Sequence, residues 1–120
     1  MIVGAAIVEL RVHGSRSLKT KRGVVQAIKG RVRNRFNVAI AEVGGQDTWQ
    51  RTQLGLSTTG SSAQVVRTEL QKALEMIEDL RLADVQGSDI ELIQMPHEAP
   101  MADDDEEGQG AGPAGENDAT

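Results

Sequence analysis

Apolar and polar positions alternate along residues 2–12: Ala6, Val8, Leu10 and Val12 share one face of an extended chain, and Val3, Ala5, Ile7, Glu9 and Arg11 the other. This period of two predicts a strand with one face turned to a core. His13, Gly14, Ser15 and Arg16 then make a turn. Ser17 is placed to cap a helix by accepting a hydrogen bond from a free N–H of its first turn. The helix runs to about residue 35, because Leu18, Val25, Ile28 and Val32 recur at helical spacing, with Val24 at the margin. Gly23 and Gly30 lie off that stripe. Each weakens the helix by roughly 1 kcal/mol relative to Ala, and either leaves room for another backbone to approach.

Residues 37–43 read as a second strand, with Val38 and Ile40 on one side and Ala39, Ala41 and Val43 on the other. Gly44 to Thr48 turns the chain into a third strand at about 49–59, where Thr52, Leu54, Leu56 and Thr58 share a face. The short connection predicts an antiparallel hairpin. Ser61 followed by Gln64 has the spacing of a capping box, and Val66, Leu70, Ala73, Ile77 and Leu80 then repeat at four, three, four and three residues. Residues 84–95, with Ile90, Leu92, Ile93 and Met95, read as a last strand in which Gly87 and Ser88 suit a bulge. Pro96 and Pro100 end regular structure, and residues 99–120 hold Gly, Ala and acids with almost nothing large and apolar, a composition that predicts disorder.

The order strand, helix, strand, strand, helix, strand predicts an α+β domain of ferredoxin-like βαββαβ type at residues 1–97, followed by a disordered acidic tail at 98–120. Right-handed crossovers place both helices on one face of a four-stranded antiparallel sheet and leave the other face open.

The residues of this domain resemble the YlxP-like family of small bacterial proteins. The resemblance rests on Met1-Ile2-Val3-Gly4, on Arg16-Ser17-Leu18-Lys19-Thr20-Lys21-Arg22, on Arg33-Asn34-Arg35-Phe36-Asn37-Val38, on Ala41-Glu42-Val43 and on Gln46-Asp47-Thr48-Trp49-Gln50-Arg51. It covers about residues 1–95 and departs from the family pattern at Gly23, Gly30 and Gly45. It implies a ferredoxin-like domain of unknown function, often encoded beside initiation factor 2 and ribosome-binding factor A, and so a setting in translation or ribosome maturation.

Charge sharpens this picture. The chain of 120 residues has 13 Lys and Arg against 18 Asp and Glu, but its eight acids from Glu98 onward occupy a segment without one base. Residues 1–53 hold ten bases and three acids, whereas residues 54–97 hold three and seven. No acid stands between Glu9 and Glu42. On the first helix Lys19, Arg22, Lys29 and Arg33 fall within about 80 degrees of arc, a ridge roughly 20 Å long that intrahelical ion pairs cannot neutralise. Such a row suits successive phosphates of RNA with little base preference, with Arg16 at one end and Arg51 as an additional contact from the hairpin. Asp103 to Glu107 forms a block of five acids, read as a solvated tail or, alternatively, as a segment that folds back and screens the ridge.

Other chemistry is thin. Gly14-Ser15-Arg16-Ser17-Leu18-Lys19-Thr20 stands where strand meets helix, yet Leu18 occupies the place of the second glycine that a nucleotide P-loop requires. With no cysteine and only His13 and His97, no disulfide, thiol nucleophile, metal or cofactor is expected. Glu42 and Asp47 flank the hairpin without a substrate pocket implied, so no active site is expected. One Trp, one Phe and no Tyr disfavour a base-stacking sheet; Trp49 is read as packing at the hairpin base or an interface, with stacking beside Arg51 the alternative.

The open sheet face collects Val3, Ala5, Ile7, Ala39, Ala41, Val43 and Trp49, an apolar patch that predicts a homo-oligomer or protein partner. No run approaches the roughly 20 apolar residues of a membrane span, and the first residues lack a signal-peptide pattern, so a soluble cytoplasmic protein is expected. Three readings follow: an RNA- or ribosome-associated module, an oligomeric interaction module, and, less favoured, a small-molecule or catalytic domain.

Overall fold

The computed structural model describes residues 1–96. Its elements are β1 (Ile2–Arg11), α1 (Leu18–Arg35), β2 (Ala39–Gly44), β3 (Arg51–Gly60), α2 (Ala63–Leu80) and β4 (Asp84–Gln94). The strands form one sheet in the order β2-β3-β1-β4, every neighbouring pair antiparallel. This is the ferredoxin-like βαββαβ arrangement that the hydrophobic periods predict. The expectations for His97 and for the acidic tail lie outside the described residues.

The core is built as the alternation requires. Ala6, Val8, Leu10 and Val12 from β1 and Leu54 and Leu56 from β3 are buried against Val25, Ile28 and Val32 of α1 and Val66, Leu70, Ala73 and Ile77 of α2. α1 packs along β2, while α2 lies over β1, β3 and β4. Gly4 permits the close approach of α2. A Cβ there would stand 2.5 Å from Val66 Cγ1 and 2.7 Å from Leu70 Cδ1. Ser17 caps α1 as expected, its Oγ accepting from the Thr20 N–H at 3.1 Å.

Four details differ from the expectation. The cap of α2 is Ser62, which accepts from the Val65 N–H, so the helix begins one residue later than the Ser61–Gln64 pattern implies. β3 begins at Arg51, so Trp49 is not a strand residue, and its parity with Arg51 and Gln53 no longer places it on the sheet face. The reason lies in the connection: Gly45 has φ 76°, Thr48 N–H donates to its carbonyl, and the chain rejoins the ladder where Val12 N–H meets Gln50 O. In β4 the register shifts between Glu9 opposite Gly87 and Leu10 opposite Val85, which puts the bulge at Gln86, beside Gly87 rather than at Gly87 and Ser88. A second bulge lies in β2, where Glu42 pairs with Leu54 and Gly44 with Gln53. It leaves Val43 over Gly55 on the open face and Glu42 on the helical face.

Candidate nucleic-acid interface

The turn before α1 is closed upon itself. Ser15 is buried and its Oγ donates to the Ser17 carbonyl at 3.1 Å, while Ser17 Oγ is engaged by Thr20. Its hydroxyls are therefore committed to the cap, and Arg16 is the exposed cationic residue of this turn.

Along α1 the sequence-predicted cations come together. Lys19, Arg22 and Arg33 are exposed and Lys29 is half-buried, all on the flank of the helix beside its buried stripe. Arg33 fixes which flank: its Nη2 donates to the Ile40 carbonyl at 3.0 Å, so the row overhangs β2, an edge of the sheet. One bond uses one of the five N–H donors of a guanidinium and leaves its charge intact. Among the described residues none of Arg16, Lys19, Arg22, Lys29 and Arg33 has a carboxylate within ion-pair distance. Gly23 and Gly30 lie next to the row, and a Cβ at either would meet nothing within 4 Å. Arg51 is exposed at the start of β3, and Trp49 is 51 % exposed in the preceding loop.

Lys21, four residues before Val25, belongs to a different structure. It is 1 % exposed, the largest fully buried side chain among the described residues. Its Nζ donates to the carbonyls of Gly45 at 2.5 Å and Arg51 at 3.2 Å and stands 3.1 Å from Glu42 Oε2. That carboxylate also accepts from Thr52 Oγ1 at 2.6 Å. A buried ammonium has three donors to satisfy, and the β2–β3 hairpin supplies an acceptor for each: Glu42 from β2, Gly45 from the loop and Arg51 from the start of β3. The positive φ of Gly45 turns one of those carbonyls, and an added Cβ there would stand 2.9 Å from Arg51 O. Sequence reading passed over Lys21, although a signal existed: positions 21, 25, 28 and 32 continue the buried stripe, and a charge on that stripe demands a partner. Glu42 accordingly faces Lys21 and Thr52, whereas Asp47, the other acid flanking the hairpin, is exposed in the loop.

On the far side of the sheet the predicted patch is only partly covered. Ala5, Ala39 and Ala41 are exposed, Val3 is half-buried, and Ile7 and Val43 are 41 % and 53 % exposed. Ile93, opposite Val3, extends the same face at 53 % exposure; it was missed because the last strand has no clean alternation. Glu9, Arg11, Arg51 and Gln53 make the other end of this face polar. His13 Nε2 contacts Asp84 Oδ2 in an exposed pair that joins the end of β1 to the start of β4, a structural tie between turns. No group of three or more metal-ligating side chains occurs among the described residues, and no described helix is long and apolar enough to cross a membrane.

Known proteins share this chain's sequence and fold to different degrees. "Uncharacterized protein YlxP" of Bacillus subtilis is 44 % identical over 77 residues, covering 64 % of this chain and 84 % of that protein. Among solved structures, SnoaB, a cofactor-independent oxygenase from Streptomyces nogalater, superimposes with a TM-score of 0.46 at 14 % identity, over 82 % of this chain and 98 % of that one. A de novo designed protein with a ferredoxin fold gives 0.42 at 11 % identity, over 85 % and 91 %. The family model described as "Protein of unknown function (DUF503)" matches residues 3–90. With most of the folded domain matched by that model and a YlxP relative at this identity, the chain belongs to the YlxP-like DUF503 family, whose function is unknown.

Proposed function

We propose that this protein is a non-enzymatic RNA- or ribosome-associated module of bacterial translation or ribosome maturation that holds phosphates along α1. The observation that carries the reading is the row Lys19, Arg22, Lys29 and Arg33, free of carboxylate partners among the described residues, with Arg16 at its start. Cations arranged along one helix flank match the spacing of a phosphate backbone better than that of a compact ligand. The two glycines beside the row keep the adjacent surface low, so a nucleic-acid backbone can approach. Arg51 is an additional contact from the β3 side, and Trp49 a stacking platform near it. The genomic setting that the family resemblance implies points the same way.

The deciding experiment is a salt titration of binding to a structured RNA and to an unrelated RNA of the same shape. Engagement of about four phosphates gives a slope of log K against log salt near −3, from roughly 0.7 per phosphate on single strands. Similar affinities for both sequences are expected, since phosphate contacts carry no base identity. Absence of binding at low salt removes this reading.

A second reading rests on a separate observation, the exposure of Ile7, Val43 and Ile93 on the open sheet face. It makes the protein a homo-oligomer that covers Val3, Ala5, Ile7, Ala39, Ala41 and Val43, with Trp49 at its margin. The two readings use opposite faces of the sheet and are compatible.

A further inference from the structure

We infer that the outer edge of β4, together with the groove between β4 and α2, accepts an extended basic segment of a partner protein as an added strand. This site lies across the sheet from the cations of α1 and is independent of them.

β4 is an edge strand of 11 residues, against six for β2, whose edge is already met by Arg33. Met95 N–H donates to Met1 O at 2.8 Å, and the Met1 ammonium donates to Met95 O at 3.2 Å, so Met95 turns its polar groups inward. In an antiparallel ladder this direction alternates, which turns those of Ser88, Ile90, Leu92 and Gln94 outward. Ile90 agrees with this: its N–H is bonded not by β1 but by the carboxylate of its neighbour Asp89, at 3.1 Å. A row of outward backbone groups is the template on which strand addition works.

Beside this edge is a cavity of about 540 Å³ between α2 and β4, into which Leu74, Val85 and Ile90 bring apolar surface. Glu75 and Glu78 of α2 also line it, with Arg67 as the one cation among the lining residues. On the opposite face of the strand, Asp89 and Glu91 stand in register with Ile7 and Ala5. Side chains of an added strand alternate between these two faces. On both they meet carboxylates, so the complementary segment carries Lys or Arg on each face.

The same charges act against two other occupants. A twofold pairing of two β4 edges centred on Ile90 sets Asp89 against Glu91 of the second copy, and like charges directly opposite are destabilising. Nucleic acid is repelled by the same carboxylates.

The test uses the full chain labelled for amide NMR and a short peptide alternating lysine and valine. The control is the same peptide methylated at every backbone nitrogen, which keeps its charge, and hence any attraction to the acidic residues after Glu98, but cannot donate to a strand. Saturable shifts at the amides of Ser88, Leu92 and Gln94 are expected with the first peptide and not with the second. Replacing both Asp89→Lys and Glu91→Lys, two exposed positions, is expected to weaken binding about tenfold or more. No binding at low salt, equal shifts with the methylated peptide, shifts confined to α1 or to residues beyond 96, or a charge-reversed protein that folds and binds as before would each overturn the proposal.

Discussion

The Lys21 ammonium lies 3.1 Å from the Glu42 carboxylate, inside the seam between the first helix and the β2–β3 hairpin. The lysine side chain is 1 % exposed and the glutamate 18 %, so the pair is held by the protein and only grazed by water. It matters for the candidate interface because Lys21 stands between Lys19 and Arg22 in the chain yet contributes nothing to the cationic surface. It anchors the helix that presents the others.

Removing one partner of such a pair leaves the other charged and the loop carbonyls without a donor. Lys21→Met is therefore expected to lower stability by about 3 kcal/mol, near the lower end for buried pairs because Glu42 retains some water. Glu42→Gln, which keeps an acceptor for Thr52, is expected to cost about half as much. Urea unfolding of the three proteins, read by midpoint at constant slope, checks both the size and the order.

Gly23 and Gly30 lie in α1 with open space where a side chain would stand. Gly23→Ala and Gly30→Ala are each expected to raise stability by up to about 1 kcal/mol, because no packing cost offsets the gain in helix propensity. Thermal unfolding measures this directly. A loss of stability in either variant would mean that the glycine packs against something in solution.

The cationic row is tested by replacing Lys19→Glu and Lys29→Glu together. RNA affinity is expected to fall and the salt slope to flatten by about 1.4, from roughly 0.7 for each of the two phosphates no longer neutralised. Stability is expected to stay within about 1 kcal/mol, since neither side chain has an ion-pair partner among the described residues. An unchanged slope would place the phosphates elsewhere.

Ile7 occupies the middle of the open sheet face at 41 % exposure. Ile7→Asp is expected to dissociate an assembly that covers this face while leaving the fold intact, as sedimentation and circular dichroism together would report. A wild-type protein that sediments as a monomer at micromolar concentration removes the oligomeric reading. Trp49→Ala adds a second distinction: lost assembly assigns the ring to the interface, and lost RNA affinity in an assembled protein assigns it to stacking.

Much of this molecule was determined by its sequence alone. The alternation of Ala6, Val8, Leu10 and Val12 and the spacing of Val66, Leu70, Ala73 and Ile77 are local periods, and a strand or helix has to turn those residues to one side. The cap at Ser17 is local as well. Tertiary structure decided what depends on neighbours distant in the chain. Lys21 becomes an interior residue only because β2 sets Glu42, on the same face as Ile40, across the seam from it and the β2–β3 hairpin brings the Gly45 and Arg51 carbonyls to its Nζ. Arg33 is tied to Ile40 because α1 lies along β2. Trp49 left the strand because the loop needed its residues to bring Gln50 beside Val12. The place of β4 at the edge of the sheet formed by the described residues likewise follows from strand order, and no period along a single strand records which neighbour it has or lacks.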